Sequence, residues 1–169
     1  MTRITILTAL SIILLSCGPI EDDKHHPYIY FHNTTNDSLY VTFTVKGESA
    51  GFGILANPQC TVMPHSTNKD ALSPMWQTWE DYFRRDYVDT ITVWISEYNL
   101  IKNSGSDYID MDNGVQCYFL SLDDLMRLNF QISYPPIKTM RFIKMLPIYE
   151  DAIAGKTLQD IDLEQESLE

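Results

Sequence analysis

The sequence predicts a mainly β domain, an antiparallel β-sandwich of about six to seven short strands with two short helices. Two alternations and one turn carry this reading. Leu39, Val41, Phe43 and Val45 alternate with Tyr40, Thr42, Thr44 and Lys46. Ile91, Val93 and Ile95 alternate with Thr90, Thr92 and Trp94. A period of two marks a half-buried strand. Asn113-Gly114 is a pair that tolerates positive φ at both central positions of a tight hairpin, and it joins Tyr108–Asp112 to Val115–Leu120. No strand–helix–strand repeat appears, which disfavours an α/β fold.

The remaining elements follow in order. Tyr28-Ile29-Tyr30-Phe31 is β-prone, and Asn33-Thr34-Thr35-Asn36-Asp37 is turn chemistry leading into the first alternating strand. Gly47, Gly51 and Gly53 mark a loose or bulged stretch. Thr61-Val62-Met63 reads as a strand that Pro64-His65-Ser66-Thr67-Asn68 ends. Ser73-Pro74 has the form of a helix entrance, with Ser73 as N-cap. Met75, Trp76, Trp79, Tyr82 and Phe83 then recur at helical spacing. Asn103–Ser106 reads as a loop. Ser121-Leu122-Asp123-Asp124 is a capping signature, and Leu122, Leu125, Met126 and Leu128 would face inward from the helix behind it. Phe130, Ile132 and Tyr134 alternate until Pro135-Pro136 stops the strand. Met140 to Met145 reads as one helical turn or a last strand, and residues 150–169 as an acidic tail, frayed or disordered.

The 169 residues carry a formal charge of −11, which argues against nucleic acid and against a polybasic grip on anionic lipid. The length fits one domain, over residues 28–149. Ahead of it, Met1-Thr2-Arg3 is a basic start and Ile4 to Leu15 an apolar run of 12 residues. That run is too short to span a bilayer but suits a signal-peptide core. Leu14-Leu15-Ser16-Cys17 resembles the lipobox of bacterial lipoproteins. The resemblance implies a signal peptide over residues 1–16, lipidation of Cys17 and a membrane held through that N-terminal lipid. A plain secretory signal is the alternative. Residues 17–27 then form a flexible leash, because Gly18-Pro19 breaks regular structure. Its Glu21-Asp22-Asp23 resembles the export tag of surface lipoproteins in Bacteroides-type bacteria, or is a solvated acidic linker. The expected location is the outer membrane, facing the periplasm or the surface. His25-His26 reads as linker.

Cys60 and Cys117 remain as an even pair in an oxidising compartment. A disulfide between them is one reading and two buried thiols the other; a catalytic thiol lacks a His or cationic neighbour. No metal or cofactor is expected. A calcium loop with Gly114 at its sixth position would put Leu120 where a Glu is required. His65-Ser66 lacks a nucleophile elbow and reads as a turn. Glu80-Asp81 and Asp123-Asp124 read as solvated helix faces and capping groups. The aromatic residues are the usable feature. Trp94, on the polar-looking side of its strand, is a candidate binding platform. Trp76 and Trp79 are further candidates, or simply dock their helix on the sheet.

The stretch from Tyr118 to Pro136, with Leu120-Ser121-Leu122-Asp123-Asp124-Leu125 and Tyr134-Pro135-Pro136, resembles a family of small lipoproteins from Bacteroides-type bacteria. Asn33-Thr34-Thr35-Asn36, Trp79-Glu80-Asp81-Tyr82-Phe83, Asp89-Thr90-Ile91 and Ile143-Lys144-Met145-Leu146-Pro147 extend the likeness over Tyr28 to Tyr149. It implies secretion, lipidation and one domain, and lends no mechanism. The functional expectation is a non-enzymatic module binding a glycan or an envelope protein. The alternatives are a secreted hydrolase with a dispersed site, or an accessory subunit of an envelope complex.

Overall fold

A computed structural model describes residues 25–45, 60–74, 77–104 and 114–161. The signal region, Cys17, Gly47–Gly53, Met75-Trp76, Tyr108–Asp112 and Asn113 lie outside the described residues.

The elements run β1 (Tyr30–Asn33), β2 (Leu39–Val45), β3 (Thr61–Val62), β4 (Ser66–Asn68), α1 (Trp79–Arg85), β5 (Ile91–Glu97) and α2 (Tyr98–Ser104). Then come β6 (Gln116–Leu120), α3 (Leu122–Arg127), β7 (Gln131–Tyr134), a 3-10 turn at Lys138–Met140, β8 (Lys144–Leu146) and α4 (Tyr149–Ile153). The fold is mainly β, as expected. The helices exceed the two expected, because α2, α4 and the 3-10 turn carry weak local signals.

Five strands form one antiparallel sheet in the order β3-β2-β5-β6-β8. Three form a second sheet in the order β4-β1-β7, where β1 runs antiparallel to β4 and parallel to β7. One apolar core lies between them. Leu39, Val41, Ile91, Val93, Ile95 and Leu120 enter it from the large sheet, and Phe31 and Ile132 from the small one. Each is fully buried. The period-two pattern sorts the aliphatic side chains of β2 and β5 into the core, and that loss of apolar surface drives the assembly, but the strands are not half-buried as expected: Tyr40, Thr42, Thr92 and Ser96 on the other side are buried too.

α1, α3 and α4 each put side chains into the core. α1 begins at Trp79, five residues beyond Pro74. Its N-cap is Thr78, whose hydroxyl accepts the Asp81 N–H at 3.3 Å. Trp79 and Phe83 are buried, with Trp79 in edge contact with Phe43 and Tyr82. Trp79 is thus core and not a surface platform. α3 has the predicted capping box: Ser121 accepts from the Asp124 N–H, and the Asp124 carboxylate accepts from the Ser121 N–H at 3.0 Å. The acidic tail also departs from expectation over its first part. α4 buries Ala152 in the core, and Leu158 is fully buried, so apolar contacts hold residues 150–158.

The link between the sheets rests on Asn33. Its amide donates to the carbonyls of Asp37 (2.8 Å), Val62 (3.2 Å) and Met63 (3.0 Å). Its Oδ1 accepts from Thr35 N–H and the Thr35 hydroxyl. One buried side chain thus ties β1, its following turn and β3 together. Just beyond, His65 takes a left-handed φ of 49° and turns the chain into β4. The Ser66–Asn68 segment, read as a turn, becomes a strand by pairing with β1.

Candidate functional site

Trp94 stands on the outer face of the five-stranded sheet, opposite the core. Cross-strand register sets Thr42 opposite Trp94 and Cys117 opposite its other side. The next register row holds Thr44, Thr92, Phe119 and Lys144. Alternation along each strand puts these side chains on one face. The face therefore combines three threonines with two half-buried aromatic rings, Trp94 and Phe119. Lys144 Nζ lies 5.3 Å from the Phe119 ring centre.

The indole of Trp94 is fixed. Its Nε1–H donates to Thr44 Oγ1 at 3.1 Å, which holds the ring plane against the sheet. Tyr40 and Ile101 of α2 form a small buried cluster against which Trp94 and Cys60 pack. α2 thus covers one flank of the ring. Of the three tryptophans named from the sequence, Trp94 is on this face, Trp79 is in the core and Trp76 lies outside the described residues.

Cys60 and Cys117 are free thiols, so the disulfide reading is corrected. Cys60 precedes β3 at one sheet edge and Cys117 lies in β6, with β2 and β5 between them. Neighbouring strands stand about 4.8 Å apart, so the separation exceeds the roughly 7 Å between Cα atoms that a bridge tolerates. Burial pushes the Cys117 thiol up to about 11, against the opposing pull of a backbone hydrogen bond at Leu146. Burial raises Cys60 as well, partly offset by the Tyr40 side chain. Both stay protonated at neutral pH and are poor nucleophiles.

His26 is not loose linker. Its ring stacks on Phe130 at 3.9 Å, and Nδ1 lies 2.6 Å from Glu80 Oε1. Its N–H donates to Glu80 Oε2, while its carbonyl accepts the Trp79 N–H. Glu80 also borders an open groove of about 330 Å³ with Arg84, Asp89, Ser121 and Asp123. The Ser121 hydroxyl there donates to Asp124 at 2.7 Å, so it serves the helix cap. His65 is exposed and its Nε2 contacts Asn36 Oδ1 at 3.0 Å. No group of three or more metal-ligating side chains occurs among the described residues.

Sequence reading missed Thr44, Phe119 and Lys144 as neighbours of Trp94. Only the register of β2, β5, β6 and β8 brings them together, and register is a long-range property. No family model, curated protein or solved structure matches the chain.

Proposed function

We propose that the protein is a non-enzymatic binding module, tethered through lipid on Cys17 to the outer membrane, that presents the Trp94 face to a glycan or an envelope protein. The observation that carries the reading is Trp94 itself, half-buried on the outer side of the sheet with its indole N–H locked to Thr44. A ring held in place loses little rotamer freedom on binding, so its apolar face is ready to stack. Thr42 and Thr92 beside it are buried and the Thr44 hydroxyl holds the indole, so the ring itself is what this face offers a ligand. The lipobox-like Leu14-Leu15-Ser16-Cys17 supports the tether, and several acyl chains, at roughly 0.8 kcal/mol per buried CH₂, would hold it firmly.

The test is a thermal-shift panel of envelope and dietary glycans. Saturation at 100 times Kd adds roughly 2.7 kcal/mol, or a few degrees in Tm. A shift with one glycan class that Trp94→Ala abolishes while keeping the fold supports sugar binding. No shift with any glycan overturns that arm and leaves a protein partner, which crosslinking in native membranes identifies. The anchor is tested separately: Cys17→Ala should leave the membrane fraction, and retention there sinks the tether.

A further inference from the structure

The whole-chain charge conceals a cationic segment. Residues 125–149 hold Arg127, Lys138, Arg141 and Lys144 with no Asp or Glu, a local balance of +4 in a chain of −11. The fold gathers part of it beside exposed apolar groups. The Arg127 guanidinium lies 3.6 Å over the Phe142 ring centre. Ile137 and Lys138 share one tight turn with Arg141, since their carbonyls accept the N–H groups of Met140 and Arg141. Ile137 is 48% exposed, Phe142 39% and Met126, next to Arg127, 58%. Glu150 pairs with Arg141 at 2.7 Å. Arg127 and Lys138 have no carboxylate partner among the described residues.

The tether enters the fold close to this surface. His26 stacks on Phe130, and the Tyr30 N–H donates to the Phe130 carbonyl at 2.8 Å. Phe130 is three residues past Arg127. The chain from Cys17 to His26 spans nine residue steps and reaches at most about 30 Å.

We infer that the surface formed by Arg127, Ile137, Lys138 and Phe142 rests on the anionic phospholipid headgroups of the bilayer that holds the anchor. The inference depends on the reading of Cys17 as the lipid site. Its warrant is charge complementarity together with the position of the tether. Basic side chains among exposed apolar ones are what a headgroup layer accepts. The rest of the chain is acidic and is repelled by the same layer. The surface therefore orients the domain, while the lipid supplies the attachment.

Hydrogen exchange on the intact lipoprotein, inserted in phosphatidylglycerol-rich or in phosphatidylcholine vesicles, tests this. Amides over residues 126–128 and 137–142 are expected to exchange more slowly in the anionic vesicles, and added salt should reverse the effect. Arg127→Glu with Lys138→Glu should weaken it by about tenfold or more, and Lys138→Gln alone by less. Both residues are exposed, and circular dichroism checks that the variants fold. Equal exchange in the two vesicle types overturns the inference. So does slowing that survives the charge reversal, which would indicate adsorption that does not use these charges. Mass spectrometry of the same sample reads Cys17 first: an unmodified Cys17 overturns the anchor, a failure distinct from that of the surface.

Discussion

The two faces of the five-stranded sheet are built from the same strands and obey different rules. On the inner face Leu39, Val41, Ile91, Val93 and Ile95 are fully buried and belong to a core drawn from both sheets. On the outer face Tyr40, Thr42, Thr44, Thr92 and Trp94 mix hydroxyls with aromatic rings, and among the described residues the buried cluster there centres on Tyr40 and Ile101. The inner face holds the fold together. The outer face is hydroxyl and aromatic where the inner one is aliphatic, and on β2 and β5 only Thr44 and Trp94 of that face are less than buried among the described residues. If this division holds, mutations on the two sides should separate stability from binding.

The largest loss is expected from Trp79→Ala, which empties a fully buried ring site. Deleting a buried Trp costs about 3–5 kcal/mol, and denaturant unfolding should show it. A loss under about 1 kcal/mol would mean that Trp79 does not anchor α1. Asn33→Ala comes next. It strands three carbonyls on the Asn33 side of the sheet junction, and about 2–3 kcal/mol should be lost. Tyr118→Phe is milder. It removes a 2.8 Å bond from the hydroxyl to the Ser133 carbonyl in the core, for about 1–2 kcal/mol by chemical denaturation. Trp94→Phe keeps an apolar ring but loses the bond to Thr44. It should cost the fold about 1 kcal/mol or less while weakening ligand binding several-fold. Equal damage to stability and binding would erase the distinction between the faces.

The tyrosines add a pH test on the core side. Burial, with Glu97 and Asp37 adding to it, pushes Tyr134 up to about 12. Burial raises Tyr118 as well. An unfolded tyrosine titrates near 10, so between about pH 10 and 12 the unfolded chain holds fewer protons than the fold. Stability contributed by the neutral phenols is fully present below about pH 10 and declines as pH rises towards 12. Tyr134→Phe should flatten that alkaline decline in a series of melts. A slope unchanged by the substitution would place the cause elsewhere.

Much of the fold is legible because its signals are local. The alternations of β2 and β5, the Ser121–Asp124 box and the proline stop after β7 each lie within a few residues of what they specify. The failures share a different cause. β4 is polar and becomes a strand only by pairing with β1, 35 residues upstream at Thr67 and His32. α2 has no capping residue to announce it; its Ile101 is held by Tyr40. Thr78 displaces Ser73 as the cap of α1, since the helix starts where Trp79 can reach the core. The candidate site was legible at Trp94 alone. Its surroundings depend on register across four strands, and the role of His26 depends on a contact with Phe130 more than a hundred positions away.

The parallel pairing of β1 with β7 bears on the order of events in the life of the chain. Tyr30 sits beside Gln131, and Asn33 beside Tyr134. A chain synthesised from its N-terminus therefore has no partner for the inner flank of β1 until nearly all of the domain exists. Closing so long a loop is entropically slow, and pairings of this kind delay folding. The first strand of the fold is then among the last to gain its full set of neighbours, and the domain closes only when its two ends meet.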